Sequence, residues 1–340
     1  MMMKRKRPNG KIFTMKKMLK DNKGLTYLLV SSLLVVVLIG IFFATKKYTY
    51  QDKADLYFVK IRTMNDFVKN LNSDIHRATH VSAFRTMIAL EDRVANSGEF
   101  LDNVSESFKE TFYNGTINGT DVEIMSNSSF KDYILKVQSL AGEVGIMLNA
   151  TVEEVHLSQS NPWDIDINVS ILINMTDSGN KVSWVMRKDY YTSVPIENLR
   201  DPIYSVNTLN KIPNSVIRCN FTVLVTSDND TRNLETCINQ SYYLESGFAP
   251  SFLMRFEGNT STDPNGNGIE SIVYIPVLSA QELPVSVNAV KVDYIYFGNI
   301  TVSNKICDVQ NIDDDSKFVI PLDRRDMYNV TGLNYSTTCP

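Results

Sequence analysis

The sequence predicts an α+β protein: a single N-terminal transmembrane helix continuing into a long stalk helix, then an extracellular domain with an antiparallel β-sheet. Three observations predict it: an apolar run at 25–44, helical periodicity at 61–78 and a period of two at 163–173. The expected divisions are a basic cytoplasmic tail at 1–24, the transmembrane helix at 25–44, a stalk helix at 45–97, an α+β extracellular domain at 98–210, and a β-rich, disulfide-containing extracellular part at 211–340.

The apolar run, LTYLLVSSLLVVVLIGIFFA, contains no charged residue. At about 1.5 Å per residue, a helix of about 20 residues spans roughly 30 Å, the thickness of the hydrocarbon core. Only a helix satisfies every backbone N–H and C=O group of a single segment in lipid. A buried helix of a soluble protein is seldom apolar on every face for this length. We therefore expect the lipid bilayer to be a partner of this segment.

Charge sets the expected orientation of that helix. The net charge is −4, but the charges are unevenly distributed: nine basic residues and a single acid, Asp21, lie before Gly24. Dense basic flanks stay in the cytoplasm, although Lys46 and Lys47 form a weaker opposing pair. We expect a single-pass plasma-membrane protein with a cytoplasmic N-terminus and an extracellular C-terminal domain. The basic tail would contact anionic headgroups, and no nucleic-acid partner is expected.

Glycosylation acceptors of the form N-x-S/T indicate an exported C-terminal part. Composition alone would give roughly five such triplets, whereas fourteen occur, none of them before residue 103. The candidate acceptors are Asn103, Asn114, Asn118, Asn127, Asn149, Asn168, Asn174, Asn220, Asn229, Asn239, Asn259, Asn299, Asn329 and Asn334. An Asn- and Thr-rich composition without glycosylation is the alternative.

All four cysteines lie in the last third of the chain, which suggests disulfide bonds in an oxidising compartment. Of the three possible connectivities we favour local pairing, Cys219 with Cys237 and Cys307 with Cys339. The spacing does not suit CxxC redox chemistry or a zinc knuckle.

The stalk helix is predicted from apolar residues spaced three and four apart. They are Ile61, Met64, Val68, Leu71, Ile75 and Ala78. Gly98 is the expected stop. The stripe packs either on the chain's own domain or on other copies of the chain, so self-association through the membrane and stalk helices is an expected partner interaction.

Further elements follow in order. An amphipathic segment surrounds Phe108 and Phe112, and a helix at 128–148 is expected to be capped by Ser126 or Asn127. Alternation predicts a hairpin of 163–173 and 182–186 around a turn at 177–180. Its outward face carries Asn168 and Asn174, where sugars would block edge or face association.

The last third of the chain is predicted to consist mainly of loops and strands. Loops are expected at Asp201-Pro202 and Pro213, and one or two helical turns at 321–332. The interval from Cys219 to Cys237 is expected to be an exposed, stapled hairpin. Predicted strands are 215–226, 251–257, 269–278, 290–297 and 299–304.

Two resemblances bear on function. Lys23-Gly24-Leu25-Thr26 before the apolar run resembles the class III signal of archaeal type IV pilins. That resemblance implies cleavage after Gly24, leaving Leu25 as the N-terminus and the apolar helix on the mature protein. The chain has Leu25 where many archaeal pilins have Gln, and Leu29 where bacterial pilins have Glu. An uncleaved signal anchor fits the same residues.

The second resemblance covers most of the chain. It rests on the basic tail and single span, DIHRATHVSAFRTMIALEDRV at 74–94, the NGTINGT loop, NPWDIDINVSI at 161–171 and LRDPIYSVNT at 199–208. These are similar to a group of uncharacterised archaeal membrane-anchored surface proteins. The group implies an exterior location and no established activity.

Few sequence patterns indicate a catalytic or metal-binding site. His76 and His80 share a helix face, but Arg77 stands where a metalloprotease has its glutamate. His156 is isolated. Asp263, Asn265, Asn267 and Glu270 match the first half of a calcium loop, with Tyr274 in place of the closing glutamate. A glycine-rich turn is the preferred interpretation. Calcium is thus the single weak cofactor candidate, and no catalytic residues are predicted.

We therefore expect a non-enzymatic cell-surface glycoprotein with an envelope, adhesion or pilin-like role. The alternative is a membrane-tethered extracellular enzyme or solute-binding domain. A large concave pocket with converging polar groups would favour the alternative. A projecting helix with an exposed apolar stripe would favour the structural role.

Overall fold

The computed structural model describes residues 22–307, 309, 312 and 317–338. It is a mixture of helix (44%) and antiparallel sheet (21%) with one N-terminal apolar helix. The chain divides into two units, Met1–Thr63 and Met64–Pro340. The α-helices are α1 Asn22–Ser97, α2 Val104–Asn114, α3 Phe130–Glu143, α4 Pro202–Asn207, α5 Arg232–Asn239, α6 Phe252–Phe256, α7 Ile275–Ala280 and α8 Asp293–Phe297. The strands are β1 Thr116–Ile117, β2 Thr120–Asp121, β3 Ile146–Asn161, β4 Asp164–Asp177, β5 Ser183–Pro195, β6 Tyr243–Glu245, β7 Ile269–Ser271, β8 Lys305–Ile306 and β9 Ile320–Pro321.

The long helix α1 ends where the sequence predicts. Gly98 has φ +66° and its N–H donates to the Val94 carbonyl at 2.9 Å, because glycine adopts the left-handed conformation without a Cβ clash. Within the second unit, the predicted stripe is covered by the chain's own domain, since Met64, Val68 and Leu71 are buried in the main core. Ile61, in the first unit, is half exposed.

A three-stranded antiparallel sheet, ordered β3-β4-β5, forms the centre of the second unit. The predicted hairpin is confirmed as β4 and β5. One face of β4 is fully buried, with Ile165, Val169 and Ile173 at 0% exposure. Helices α2 and α3 contribute Phe108, Phe112 and Phe130 to the same core.

Strand β3 was not predicted, and the helix expected at 128–148 is shorter than expected. Ser129, not Ser126 or Asn127, caps α3 through a capping box with Asp132. The helix ends at Glu143, and Gly145 adopts φ +74° before β3 begins. Leu148 continues the apolar spacing of α3. Periodicity alone therefore predicts a helix that runs on into the residues that form β3.

Several predictions for the last third are wrong. Asp201-Pro202 is not a loop: Asp201 Oδ1 accepts the Ile203 N–H at 2.8 Å and Pro202 opens α4. Segments 251–257 and 290–297 contain α6 and α8, while 215–226 and 299–304 form no strand. Segment 269–278 holds only the short β7 before α7. The two 3-10 turns Leu322–Arg324 and Val330–Gly332 agree with the turns expected there.

Among its described residues the part at 211–340 is therefore not β-rich, because β6 to β9 have two or three residues each. It also shares the main core with the preceding part, through Phe252, Phe256 and Ile269. Residues 64–340 form one compact unit rather than separate parts divided at residue 210. A second cluster of buried side chains surrounds Cys219 and Cys237.

Candidate functional site

The strongest functional feature is the apolar segment Thr26–Lys47 of α1. It has 22 residues and a mean hydropathy of 2.8, and none of it is buried. By length and composition this helix could cross a membrane, and a signal sequence near an N-terminus meets the same criteria.

Three hydroxyls of the apolar segment are satisfied within the helix. The hydroxyls of Ser31, Ser32 and Thr45 donate to backbone carbonyls one turn earlier, at 3.0, 2.9 and 2.9 Å. An unpartnered hydroxyl would be costly in lipid, so these bonds suit the segment to an apolar solvent. The predicted processing position between Gly24 and Leu25 lies near the start of α1, and cleavage there stays a prediction.

Thirteen of the fourteen candidate acceptors are exposed, which is the condition for a glycan on the folded domain. The exception is Asn168, which is half-buried in the middle of β4 and whose Oδ1 is buried without a hydrogen-bond partner among the described residues. Asn149 and Asn174 lie directly opposite each other on the outer face of the sheet. Glycosylation of these residues stays a prediction.

Backbone geometry offers a second reason for some of these asparagines. Five of the acceptors adopt positive φ, namely Asn118, Asn127, Asn229, Asn299 and Asn329. Asparagine is several-fold enriched in the left-handed region among non-glycine residues. At these positions turn geometry alone would favour asparagine, so they carry less weight as acceptors than Asn149 or Asn174, which lie in strands.

The predicted pairing of Cys219 with Cys237 is confirmed. Cys219 and Cys237 form a disulfide with a Cα–Cα distance of 5.8 Å. The interval between them contains α5 rather than a hairpin, and Leu234 of α5 is buried beside the bond. Cys307 is also disulfide-bonded, while its predicted partner Cys339 lies outside the described residues.

The histidines do not converge on a site. His76, His80 and His156 are exposed. The Nδ1 atom of His80 lies 3.1 Å from the Thr192 hydroxyl. Within the described part of the chain, no group of three or more His, Cys, Asp or Glu side chains could hold a metal ion.

The calcium candidate is a turn whose four residues do not converge. Asp263 Oδ1 accepts the backbone N–H groups of Asn265 and Asn267 at 2.9 and 3.2 Å, and Gly266 has φ +74°. The Asn267 amide donates to the Gln159 carbonyl at 2.9 Å. Glu270 is fully buried and accepts from Arg324 and Tyr328, so its carboxylate does not face this turn, and calcium binding stays a weak prediction beside the preferred glycine-rich turn.

A buried ionic network, defined as Asp201, Arg255, Glu270, Asp293 and Arg324, was not predicted. Arg255 is fully buried and its Nη1 donates to Asp201 Oδ2 at 2.6 Å and to Asp293 Oδ2 at 2.9 Å. Burial raises the pKa of Asp201, and Arg255 partly offsets this. Burial would lower the pKa of Arg255, but the two carboxylates reverse the effect and raise it.

Hydroxyl groups complete this half of the network. The Tyr243 hydroxyl donates to Asp201 Oδ2 at 2.7 Å, and the Ser271 hydroxyl donates to Asp293 Oδ2 at 3.0 Å. The Tyr204 hydroxyl lies 3.1 Å from the Ser271 hydroxyl. Each carboxylate therefore meets several donors, as a buried charge requires.

The other half is centred on Glu270, whose Oε2 accepts from Arg324 Nε at 3.3 Å and whose Oε1 accepts from the Tyr328 hydroxyl at 2.9 Å. Burial raises the pKa of Glu270 and Arg324 lowers it. Arg324 also donates to the Tyr294 hydroxyl at 2.7 Å. With three carboxyls against two guanidinium groups, the network has one carboxyl in excess.

The surface of the second unit has several open grooves, of which two border α2 and the β1–β2 hairpin. One, of about 580 Å³, runs between α2 and β3 and is lined by acidic residues including Asp102, Glu106, Glu110 and Glu154. The carboxylate of Glu110 is engaged in internal hydrogen bonds. It accepts from the Gly119 N–H at 2.8 Å and from the Thr116 hydroxyl at 2.7 Å, and these bonds lower its pKa. The other, of about 830 Å³, lies between α1 and the β1–β2 hairpin.

The groove carboxylates are thus partly committed to internal contacts, since Glu106 also pairs with Lys109 at 2.8 Å and Glu153 with Arg187 at 2.7 Å. The buried ionic network lines neither groove. No family model, curated protein or solved structure matches the chain.

Proposed function

We propose that this chain is a single-pass, membrane-anchored surface protein without enzymatic activity, serving as a pilin-like, envelope or adhesion component. Residues 25–44 anchor it in lipid, residues 1–24 lie in the cytoplasm, and the folded part works outside the cell. The observation that carries the proposal is the segment Thr26–Lys47, which is strongly apolar and entirely unburied. Lipid is the solvent in which such a surface is stable.

Three further observations support the exterior location. Nine basic residues precede the apolar segment, as expected for a cytoplasmic flank, and Lys46 and Lys47 form a weaker pair at its other end. The Cys219–Cys237 disulfide is typical of an oxidising compartment. Thirteen candidate acceptors are exposed on the folded part, where glycans would be tolerated.

The test combines extraction, protease access and intact mass on the full chain with a C-terminal tag. The anchor predicts that the chain stays in the membrane pellet after carbonate washing. The orientation predicts that protease added to intact cells digests residues beyond 50. Intact mass is expected to show an N-terminus at Met1 for a signal anchor or at Leu25 for pilin-type processing, and both retain the apolar helix.

Two results would contradict the proposal. A mature chain that lacks residues 26–47 and appears in the soluble fraction would make the segment a cleaved signal sequence. A tagged domain protected from protease in intact cells, but digested after permeabilisation, would reverse the orientation.

A further inference from the structure

Strand β5 is an unpaired edge of the central sheet. Within the described residues it pairs with β4 on one side and with no strand on the other. It is 13 residues long, and its exposed side chains include Val185 and Tyr191, at 64% and 65% exposure. A long edge of this kind presents a row of backbone N–H and C=O groups that a second strand can use.

The register shows which residues point outward. The Asp177 N–H donates to the Val182 carbonyl and the Ile196 N–H to the Trp163 carbonyl, both at 2.9 Å. Hydrogen-bonded pairs alternate in an antiparallel ladder, so the even-numbered residues of β5 bond to β4. The odd-numbered residues from 183 to 193 therefore direct their backbone groups to the free edge.

We propose that β5 pairs antiparallel with β5 of a second copy of this chain, with Lys188 on the two-fold axis, to form one six-stranded sheet. In this register Arg187 lies opposite the partner's Asp189, and Asp189 lies opposite the partner's Arg187. Val185 lies opposite the partner's Tyr191, so two exposed apolar side chains cover each other on the outer face.

Charge selects this register among its neighbours. A two-fold axis at residue 187 would place two arginines opposite each other, and an axis at 189 would place two aspartates opposite each other. Only the axis at 188 pairs opposite charges, and it does so twice by symmetry. The cost is one Lys188 pair at the axis, where the long side chains can diverge.

No candidate acceptor lies on β5 itself, since none occurs from residue 175 to 219. On the neighbouring strand β4, Asn168 lies opposite Tyr191 and Asn174 lies opposite Val185. Glycans on these two residues would crowd the outer face of the interface, so the pairing is tested on chain made without glycosylation. The pairing itself rests on the geometry of β5 and not on the proposed surface location.

Cross-linking of the full chain in detergent, expressed without glycosylation, tests the pairing. Lys188→Cys places two thiols at a directly opposed pair, where Cβ atoms lie about 4.5–5.5 Å apart. Ser193→Cys is the matched control, because in this register the two copies of residue 193 lie ten residues apart, about 34 Å. The native cysteines are the same in both variants.

Under mild oxidation, Lys188→Cys is expected to give at least about fivefold more reducible dimer than Ser193→Cys. Adding Arg187→Glu is expected to lower the dimer yield about tenfold, because both charge pairs become repulsive. Adding Asp189→Arg as well should restore the yield with the charges exchanged. Glu153→Gln, which removes only the internal partner of Arg187, should leave the yield unchanged.

Equal dimer yields from the two cysteine variants would overturn the proposal, and Arg187 and Lys188 would then be charges that keep the edge unpaired. A Lys188→Cys dimer indifferent to Arg187→Glu would overturn the register. Unfolding temperatures of the variants, measured in parallel, identify any that fail to fold. Since no step depends on membrane orientation, failure here is distinct from failure of the proposed function.

Discussion

The apolar segment Thr26–Lys47 and the buried ionic network depart from ordinary protein composition in opposite directions. The first exposes leucine, valine and phenylalanine on every side. The second encloses two guanidinium groups and three carboxyls. Each arrangement is stable only in its own surroundings: the segment needs an apolar solvent, and the network needs every charge paired. Adding a charge to the segment and removing one from the network should therefore both be costly.

The largest effect is expected from charges placed in the apolar segment. Leu33→Arg with Val36→Arg adds two cations near the centre of the helix, at about 2.5–3.5 kcal/mol each for membrane insertion. The double variant should leave the carbonate-resistant pellet. Val59→Arg, on an equally exposed position of the same helix beyond the apolar segment, is the control and should stay in the pellet. Retention of the double variant would remove the segment as the anchor.

Next in size is the loss of Arg255. Arg255→Met leaves Asp201 and Asp293 buried without their cation, and breaking a buried pair in this way costs about 3–5 kcal/mol. Urea unfolding followed by tryptophan fluorescence measures this, because Trp163 and Trp184 both lie in or beside the central sheet. Arg232→Met, which removes an exposed partner of Asp230, is the control and should change little. A stability unchanged by Arg255→Met would show that the network is not paired as described.

Serine gives a direct contrast between the two regions. Ser271→Ala removes one donor to Asp293, and hydrogen bonds to charged groups are worth about 1.5–3 kcal/mol. Ser32→Ala removes a bond from a side chain to its own helix backbone, and no other group loses a partner except a carbonyl. Unfolding free energy should therefore fall for Ser271→Ala, whereas membrane retention should be the same for Ser32→Ala. Equal losses at both sites would mean that the network tolerates a missing donor.

The two regions also differ in how far sequence predicts them. The apolar segment, the helix end at Gly98 and the β4–β5 hairpin depend on local patterns of composition, spacing and turn residues, and all three appear in the structure. The network joins residues far apart in the chain, since Arg255 lies 54 residues from Asp201 and 38 from Asp293. Periodicity carries no information about such pairs.

One local sequence pattern indicates part of the buried ionic network. Arg255 and Asp293 stand alone within apolar runs, FLMRF and VDYIYF, where a solvated charge would not be expected. The sequence pattern predicts strands for those runs, because the period of a short apolar stretch does not distinguish a strand from a helix. The buried spacing of Phe252, Arg255 and Phe256 is helical, and the charge within it is held by partners that only the fold brings together.

The smallest effect expected is the response of stability to pH. Burial raises the pKa of Asp201, Glu270 and Glu91, so these carboxyls bind protons more tightly when folded than when unfolded. Their contribution to stability is therefore full below the unfolded pKa of about 4 and is lost as pH rises through the folded pKa. Unfolding temperature should increase as pH falls through the folded pKa values of these groups towards about 4.

The carboxyls with lowered pKa act in a different window, which makes the measurement decisive. Bonds from Gly119 and Arg232 lower the pKa of Glu110 and that of Asp230, the latter to about 2, so their stabilisation is lost only below the unfolded value of about 4. Above the unfolded value of about 4 the raised group dominates. Asp201→Asn, which cannot ionise, should flatten the slope above that value, while Asp230→Asn should not. A slope of the opposite sign would mean that the excess carboxyl is more stable charged inside the fold than it is in water.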